Sequence, residues 1–266
     1  MRNMLFAAGL LAASLALPAG AFAADEPAVP DLLKILPCPP QSDVKPGAGI
    51  TCAQDPALQK RDYQAVLDAQ KNASEEEKKL AIADAARPSL AQFGRPIWQE
   101  IAAPACAVAP EIATAPDDQA LAATLPATVD LIHAMTKDSI MAVDGAKQAF
   151  GRLRPYQAEV EGLPRISALL PTDNLKKSPS YPSGHTAFAY ETALVLASLL
   201  PEEQDRIYAR AAQYSHNRLV AGVHFQSDVE QGRLSGELVA AAFMQREDFR
   251  AKLEKARPEL RKALCQ

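Results

Sequence analysis

The chain has 266 residues, 48% of them hydrophobic and 23% charged, which is enough apolar material for one sizeable core. With residues 1–23 set aside, 27 basic residues stand against 32 acidic ones, a net charge of −5. With no basic run, that balance argues against nucleic acid as a partner, while leaving room for a local positive pocket.

The N-terminus reads as a targeting segment. Arg2 supplies a positive start, residues 5–17 form an uncharged apolar run, and Ala21-Phe22-Ala23 is a small-residue cleavage site. This predicts a secretory signal peptide over 1–23. The run is shorter than the about 20 residues that span a bilayer, and no later stretch is long and apolar enough to do so. The mature protein is therefore expected to be soluble, exported to the periplasm and free of the membrane. Cys38, Cys52, Cys106 and Cys265 all follow the cleavage site, and an even count in an exported chain predicts two disulfides. Three connectivities are open. Cys38–Cys52 would close a short loop containing Pro and Gly, leaving Cys106–Cys265 to tie the C-terminus to the body.

Residues 24–54, rich in Pro, Gly and Asp, are expected to form an extended arm. Asp55-Pro56 opens a helix to about residue 70, and the Ser74/Glu77 capping box opens another to about residue 86. Residues 89–102 predict a helix that Pro96 must kink or split, and 103–117, with three prolines, a connection. From Asp118 the pattern is helical, with a break near Pro126. Ile132, Met135, Ile140, Val143 and Phe150 form an apolar stripe, and His133 within it is read as structural. Residues 156–181 read as a long irregular loop. Helices follow over 186–200, from Pro201 to about 220, from 227 or 228 to 245, and over 247–264 with an interruption at Pro258. No period-2 pattern stands out. The fold is expected to be all-α, with one helical domain over 55–266.

Three stretches carry candidate chemistry. Lys147 and Arg154 are seven residues apart, two turns of a helix that Pro155 should end near Arg154. On this reading they share a face that could clamp a dianion, and Arg152 cannot share it. Pro182-Ser183-Gly184-His185 sits where the loop meets an apolar helix. There Ser183 and the amides of Gly184 and His185 would face an anion, and His185 could donate a proton. Arg218, His224 and Asp228 lie within one stretch. If it is helical, Asp228 at i+4 can hold one ring nitrogen of His224 and leave the other free to react. His216 is read as incidental.

In order, these pieces read K-x6-R-P, P-S-G-H and R-x5-H-x3-D. The chain resembles the type 2 phosphatidic acid phosphatase (PAP2) superfamily, and within it the class A bacterial non-specific acid phosphatases. The resemblance covers roughly residues 140–232, and Leu36-Pro37-Cys38-Pro39-Pro40 is similar to the Pro-rich entry of that class. It implies a PAP2-like helical core shared with vanadium haloperoxidases, and hydrolysis of small-molecule phosphate monoesters. It implies His224 as nucleophile, Asp228 orienting it and His185 as general acid. Lys147, Arg154, Ser183, Gly184 and Arg218 are implied to bind the phosphoryl oxygens. Neither a metal nor another cofactor is expected, because three cations around the equatorial oxygens meet the charge need of phosphoryl transfer. One position departs from the family pattern: Asn217 stands where Ser usually precedes the third-motif Arg, and the expected effect is a retuned pocket. Two other readings are a vanadate-dependent haloperoxidase using the same pocket and a non-catalytic phosphate-binding protein. The sequence names neither the alcohol of the substrate nor the oligomeric state, and a homo-oligomer is left open.

Overall fold

The computed structural model describes residues 29–40, 44–45 and 48–266, and these are all-α. The expected signal peptide lies outside the described residues. The only pairing of extended backbone among those described is an isolated bridge between Val44 and Arg152. In chain order the helices are α1 (Leu32–Ile35), α2 (Pro56–Asn72), α3 (Glu75–Ala83), α4 (Leu90–Gly94), α5 (Trp98–Ile101), α6 (Pro110–Thr114), α7 (Asp118–Leu121), α8 (Pro126–Phe150), α9 (Gly184–Leu199), α10 (Gln204–Val220), α11 (Gln226–Met244) and α12 (Glu247–Ala263).

Local signals set many of these boundaries. Asp55 caps α2, with Pro56 at its first position. Ser74 and Glu77 form the capping box of α3. Pro96 splits α4 from α5, and Pro126 opens α8. Four expectations need correction. The arm is not extended throughout, since Asp31 caps the short helix α1. The Pro-rich connection contains α6, because Pro110 is tolerated at a helix start. Ile140 is about half exposed, and Ser139 takes the buried place, because Met135, Ser139, Val143 and Ala146 follow the helical period and Ile140 falls off it. Lastly, α12 runs straight through Pro258. The backbone cost, roughly 3 kcal/mol, is offset by anchoring on both sides. Leu253, Ala256 and Leu260 are buried, and Arg257 and Arg261 donate to carbonyl oxygens of Ser198 and Leu199.

Helix α9 is the centre. It is apolar nearly all round, as a helix must be when other helices cover it. Ala187, Phe188, Ala193, Val195, Leu196 and Leu199 are all buried, and α8, α10 and α11 pack on it. Two disulfides, Cys38–Cys52 and Cys106–Cys265, secure the arm and the C-terminus.

The α9–α11 contact sets the distance between the second and third candidate motifs. It is close because α11 presents glycines there. A Cβ on Gly236 would lie 2.1 Å from the Ala187 carbonyl oxygen, and one on Gly232 would lie 2.5 Å from that of Ser183. Alanine at either place therefore forces two backbones apart. Gly→Ala inside a helix ordinarily gains up to about 1 kcal/mol. Here overpacking of about 1–3 kcal/mol should win. Gly236→Ala is expected to lower the urea unfolding midpoint. An unchanged or raised midpoint would show that the two helices can separate freely.

Candidate active site

The three motifs converge, by routes that differ from the sequence reading. The helix carrying Lys147 does not reach Arg154. It ends at Phe150, where Gly151 takes a left-handed conformation with φ 64°. Beyond it Arg152 bridges Val44, and Arg154 is extended ahead of Pro155. Lys147 and Arg154 therefore share no helix face. They meet because the chain folds back, and both donate to the Pro179 carbonyl oxygen, from Nζ at 3.0 Å and Nη2 at 3.5 Å. Lys147 Nζ also donates to Ser180 O at 3.1 Å.

The second motif is a helix start. Ser183 caps α9, its Oγ accepting from Thr186 N at 3.3 Å and from Thr186 Oγ1 at 3.0 Å, which leaves its own hydroxyl proton to donate elsewhere. Gly184 is the first helical residue. A Cβ there would rest 3.9 Å from Lys147 Cε, so the first motif's lysine lies against the N-terminus of α9. His185 stacks beside Tyr214, with ring centroids 6.0 Å apart, and its Nε2 lies 3.0 Å from Ala86 O. A carbonyl only accepts, so Nε2 carries the proton.

The third motif is not one helix. Arg218 belongs to α10, a turn through Gly222 (φ 70°) follows, and His224 precedes α11. Asp228 meets His224 because it sits in the first turn of α11 and reaches back. Its Oδ2 accepts from Phe225 N at 2.8 Å and lies 3.3 Å from His224 Nδ1. Arg154 Nη1 is 3.2 Å from His224 Nε2. Guanidinium groups only donate, so Nε2 accepts and the ring proton resides on Nδ1, toward Asp228. The backbone oxygen of Asp228 accepts from Ser183 N at 2.9 Å, which joins the second motif to the third.

Several participants were not foreseen. Arg152, assigned by helical spacing to another face, is 1% exposed and donates to Asp228 Oδ1 at 2.7 Å. It also donates to Asp62 Oδ2 at 2.8 Å and Gln59 Oε1 at 2.9 Å, both on α2. Residues at and beyond the end of α3 form a second wall: Ala81 O accepts from Arg218 Nη2 at 2.8 Å, and Ala86 O faces His185. Asn217 turns to that wall as well, donating to Asp84 Oδ2 at 2.7 Å beside the Arg210–Asp84 pair. The one available sequence signal was Asp62, a charged residue flanked by Tyr63 and Val66 on the inward face of α2.

The electrostatics are unbalanced. Lys147, Arg154, Arg218 and His224 are all buried. Burial, followed by the Arg154 charge, pulls the Lys147 ammonium down to about 7. Burial and then Arg218 lower His185 to about 3. Burial, then Arg154 and Lys147, push His224 well below the usual imidazole range. Burial also lowers Arg154 and Arg218. Arg218 Nε is buried with no hydrogen-bond partner among the described residues. Such a site favours a dianion, which would offset the mutual repulsion. Among the described residues no group of three or more His, Cys, Asp or Glu is placed to hold a metal, and no helix is long and apolar enough to cross a membrane.

Comparison with known proteins bears on this geometry. A family model described as the PAP2 superfamily matches residues 127–252, which hold all three motifs. Over residues 127–252 the chain is similar to the PAP2 superfamily. A non-specific acid phosphatase of Providencia stuartii is 35% identical over 122 residues, 46% of this chain and 48% of that protein. An acid phosphatase of Zymomonas mobilis is 35% identical over 141 residues, 53% of this chain and 52% of that protein. The chain thus spans about half the length of the curated relatives it matches. A transmembrane PAP2-type phosphatidylglycerolphosphate phosphatase from Bacillus subtilis is 20% identical with a TM-score of 0.40, covering 70% of this chain and 83% of that one. The α2 and α3 contacts to the PAP2 motifs come from outside the matched region.

The Lys147 shift makes anion affinity pH-dependent with a definite sign. Sulfate stays a dianion through the neutral range, so its pH dependence reports the protein. Lys147 is charged below about 7 and loses its proton above it. Sulfate affinity should therefore fall by about tenfold or more between pH 6 and pH 9, given the strength of a close charge pair in a partly dry site. Lys147→Met should bind weakly and fall off less steeply with pH, the remaining slope coming from proton uptake at His185. Calorimetric titration checks this, and a flat wild-type profile would contradict it.

Proposed function

We propose that this chain is an exported acid phosphatase that hydrolyses phosphate monoesters through a phosphohistidine on His224. The observation that carries the reading is the state of that ring. Its proton is held at Nδ1 beside Asp228, and its Nε2 lone pair is presented among buried cations. Similarity to acid phosphatases supports the activity class. The apolar run and cleavage site within residues 1–23, together with the two disulfides, support export to the periplasm.

The phosphoryl group binds between Lys147, Arg154 and Arg218, with Ser183 Oγ and the first amides of α9 as further donors. The unpartnered Arg218 Nε suits a phosphoryl oxygen. Arg154 Nη1 turns from Nε2 of His224 to a phosphoryl oxygen, and the freed Nε2 lone pair attacks phosphorus as the ester P–O bond breaks, while the leaving oxygen takes a proton from His185. Phosphorylation leaves the His224 ring cationic, and Asp228 stabilises that charge across Nδ1–H. Water then attacks phosphorus, giving its proton to His185 as the P–N bond breaks. Burial and then Arg218 hold His185 down at about 3. The arriving dianion must raise it before the ring can act as an acid, so substrate binding and proton uptake go together. Because Ala86 O occupies Nε2–H, the transferable proton is the one gained at Nδ1.

The two histidines are separable by leaving group. His224→Ala should abolish turnover on every ester. His185→Ala should cost about 10²–10⁴-fold on alkyl phosphates and much less on nitrophenyl phosphate, whose phenolate leaves without a proton. Steady-state rates on both substrates check this. Turnover retained by His224→Ala on the activated ester would remove the nucleophile assignment.

A further inference from the structure

We infer that Arg152, backed by Asp62, is a positioning residue for the reaction: it fixes Asp228, and through Asp228 the tautomer and aim of His224. The inference rests on the phosphatase reading above.

Asp228 has two carboxylate oxygens with different work. Oδ2 faces His224 Nδ1 and Phe225 N. Oδ1 is taken by Arg152 Nη1 at 2.7 Å. With both oxygens held, the carboxylate cannot rotate, and Oδ2 stays on the imidazole. Arg152 is itself fixed from several directions. Nη1 also donates to Ser227 Oγ at 2.6 Å, and Nη2 donates to Asp62 Oδ2 and Gln59 Oε1. Its guanidinium carbon lies 4.0 Å over the Phe225 ring. Asp62 is anchored in turn, accepting from Ser227 N at 3.2 Å and from Ser227 Oγ. The planar fork is what permits this set of contacts, and an ammonium group cannot reproduce it.

The charge count explains why a second carboxylate is present. A lone guanidinium against Asp228 would cancel the negative charge that the His224 ring requires once it is phosphorylated. Asp62 answers the guanidinium from the other side, so Arg152 locks the orientation of Asp228 while the pair of carboxylates keeps one net negative charge beside His224. The machinery thereby extends from the PAP2 region to α2, about 90 residues earlier in the chain.

The test compares wild type, Arg152→Lys and Arg152→Met. Steady-state rates on nitrophenyl phosphate are joined to imidazole ¹⁵N NMR of the resting protein, with His224 assigned through a His224→Gln variant. Lys147, Arg154 and Arg218 are untouched, so sulfate affinity should stay within about threefold. Loss of aim should lower kcat by about 10²-fold, with KM little changed. In wild type the His224 ring should be the single Nδ1–H tautomer, and in the variants a mixture. Arg152→Lys keeps the buried charge, so it supplies the reading should Arg152→Met fail to fold. A folded Arg152→Lys protein with wild-type kcat and one Nδ1–H tautomer would overturn the inference while leaving the phosphatase reading intact. A wild type that does not hydrolyse the ester would instead overturn the phosphatase reading, and the NMR result would still decide whether Arg152 sets the tautomer.

Discussion

Asp228 is the residue on which the geometry of the site depends. It is fully buried, yet it ties together three separate stretches of chain. Its backbone oxygen takes the amide of Ser183, and its carboxylate takes Phe225 N, Arg152 and the ring of His224. A buried carboxylate is stable only when its oxygens are this well occupied, and removing one partner of a buried pair costs about 3–5 kcal/mol. The same contacts that make Asp228 tolerable therefore set the register of α9 against α11. Gly232 and Gly236 let the two helices approach closely enough for Ser183 and Asp228 to bond.

The second constraint is charge. Lys147, Arg154, Arg218 and His185 converge on His224 with few anions between them, and each lowers the proton affinity of others in the group. Carbonyl oxygens hold these groups in place: Pro179 and Ser180 for Lys147, Val223 and Ser178 for Arg154, and Ala81 for Arg218. Carbonyls orient cations without neutralising them. A cluster of this kind is electrostatically costly, and a bound dianion would relieve the cost. The coupling has a sign for stability too. His185 is depressed to about 3, so the fold binds fewer protons than the unfolded chain between that value and about 6.5. Stability from this group is lost as pH falls through that window, where bound phosphate would restore it.

Local features of the fold were legible in the sequence because their causes are local. Asp55-Pro56, the Ser74/Glu77 box, Pro96 and Pro126 mark boundaries through neighbours in sequence. The candidate site was legible as a set of residues but not as a geometry. Lys147 and Arg154 were placed on one helix face, whereas Gly151 ends the helix between them. His224 and Asp228 were placed one helical turn apart, whereas Asp228 reaches back from the start of α11. In both cases the spacing picked out residues that the structure brings together, but a turn, through Gly151 in one and ahead of α11 in the other, decided how they meet. Arg152 and Asn217 were read differently because their partners, Asp62 and Asp84, lie 90 and 133 residues away. Nothing within either motif announces a contact at that range. The course of α12 through Pro258 was missed for the same reason, since the carbonyls that hold Arg257 and Arg261 belong to the end of α9.

The central claim is that Asp228 holds Nδ1 of His224 and leaves Nε2 to attack. It is tested most directly by the position of a trapped phosphoryl group. Rapid quench under alkaline conditions during turnover of nitrophenyl phosphate, followed by ³¹P NMR and peptide mapping, locates that group. The account predicts phosphate on Nε2 of His224 alone. Phosphate on Nδ1 of that ring, on His185, or on no residue at all would contradict it.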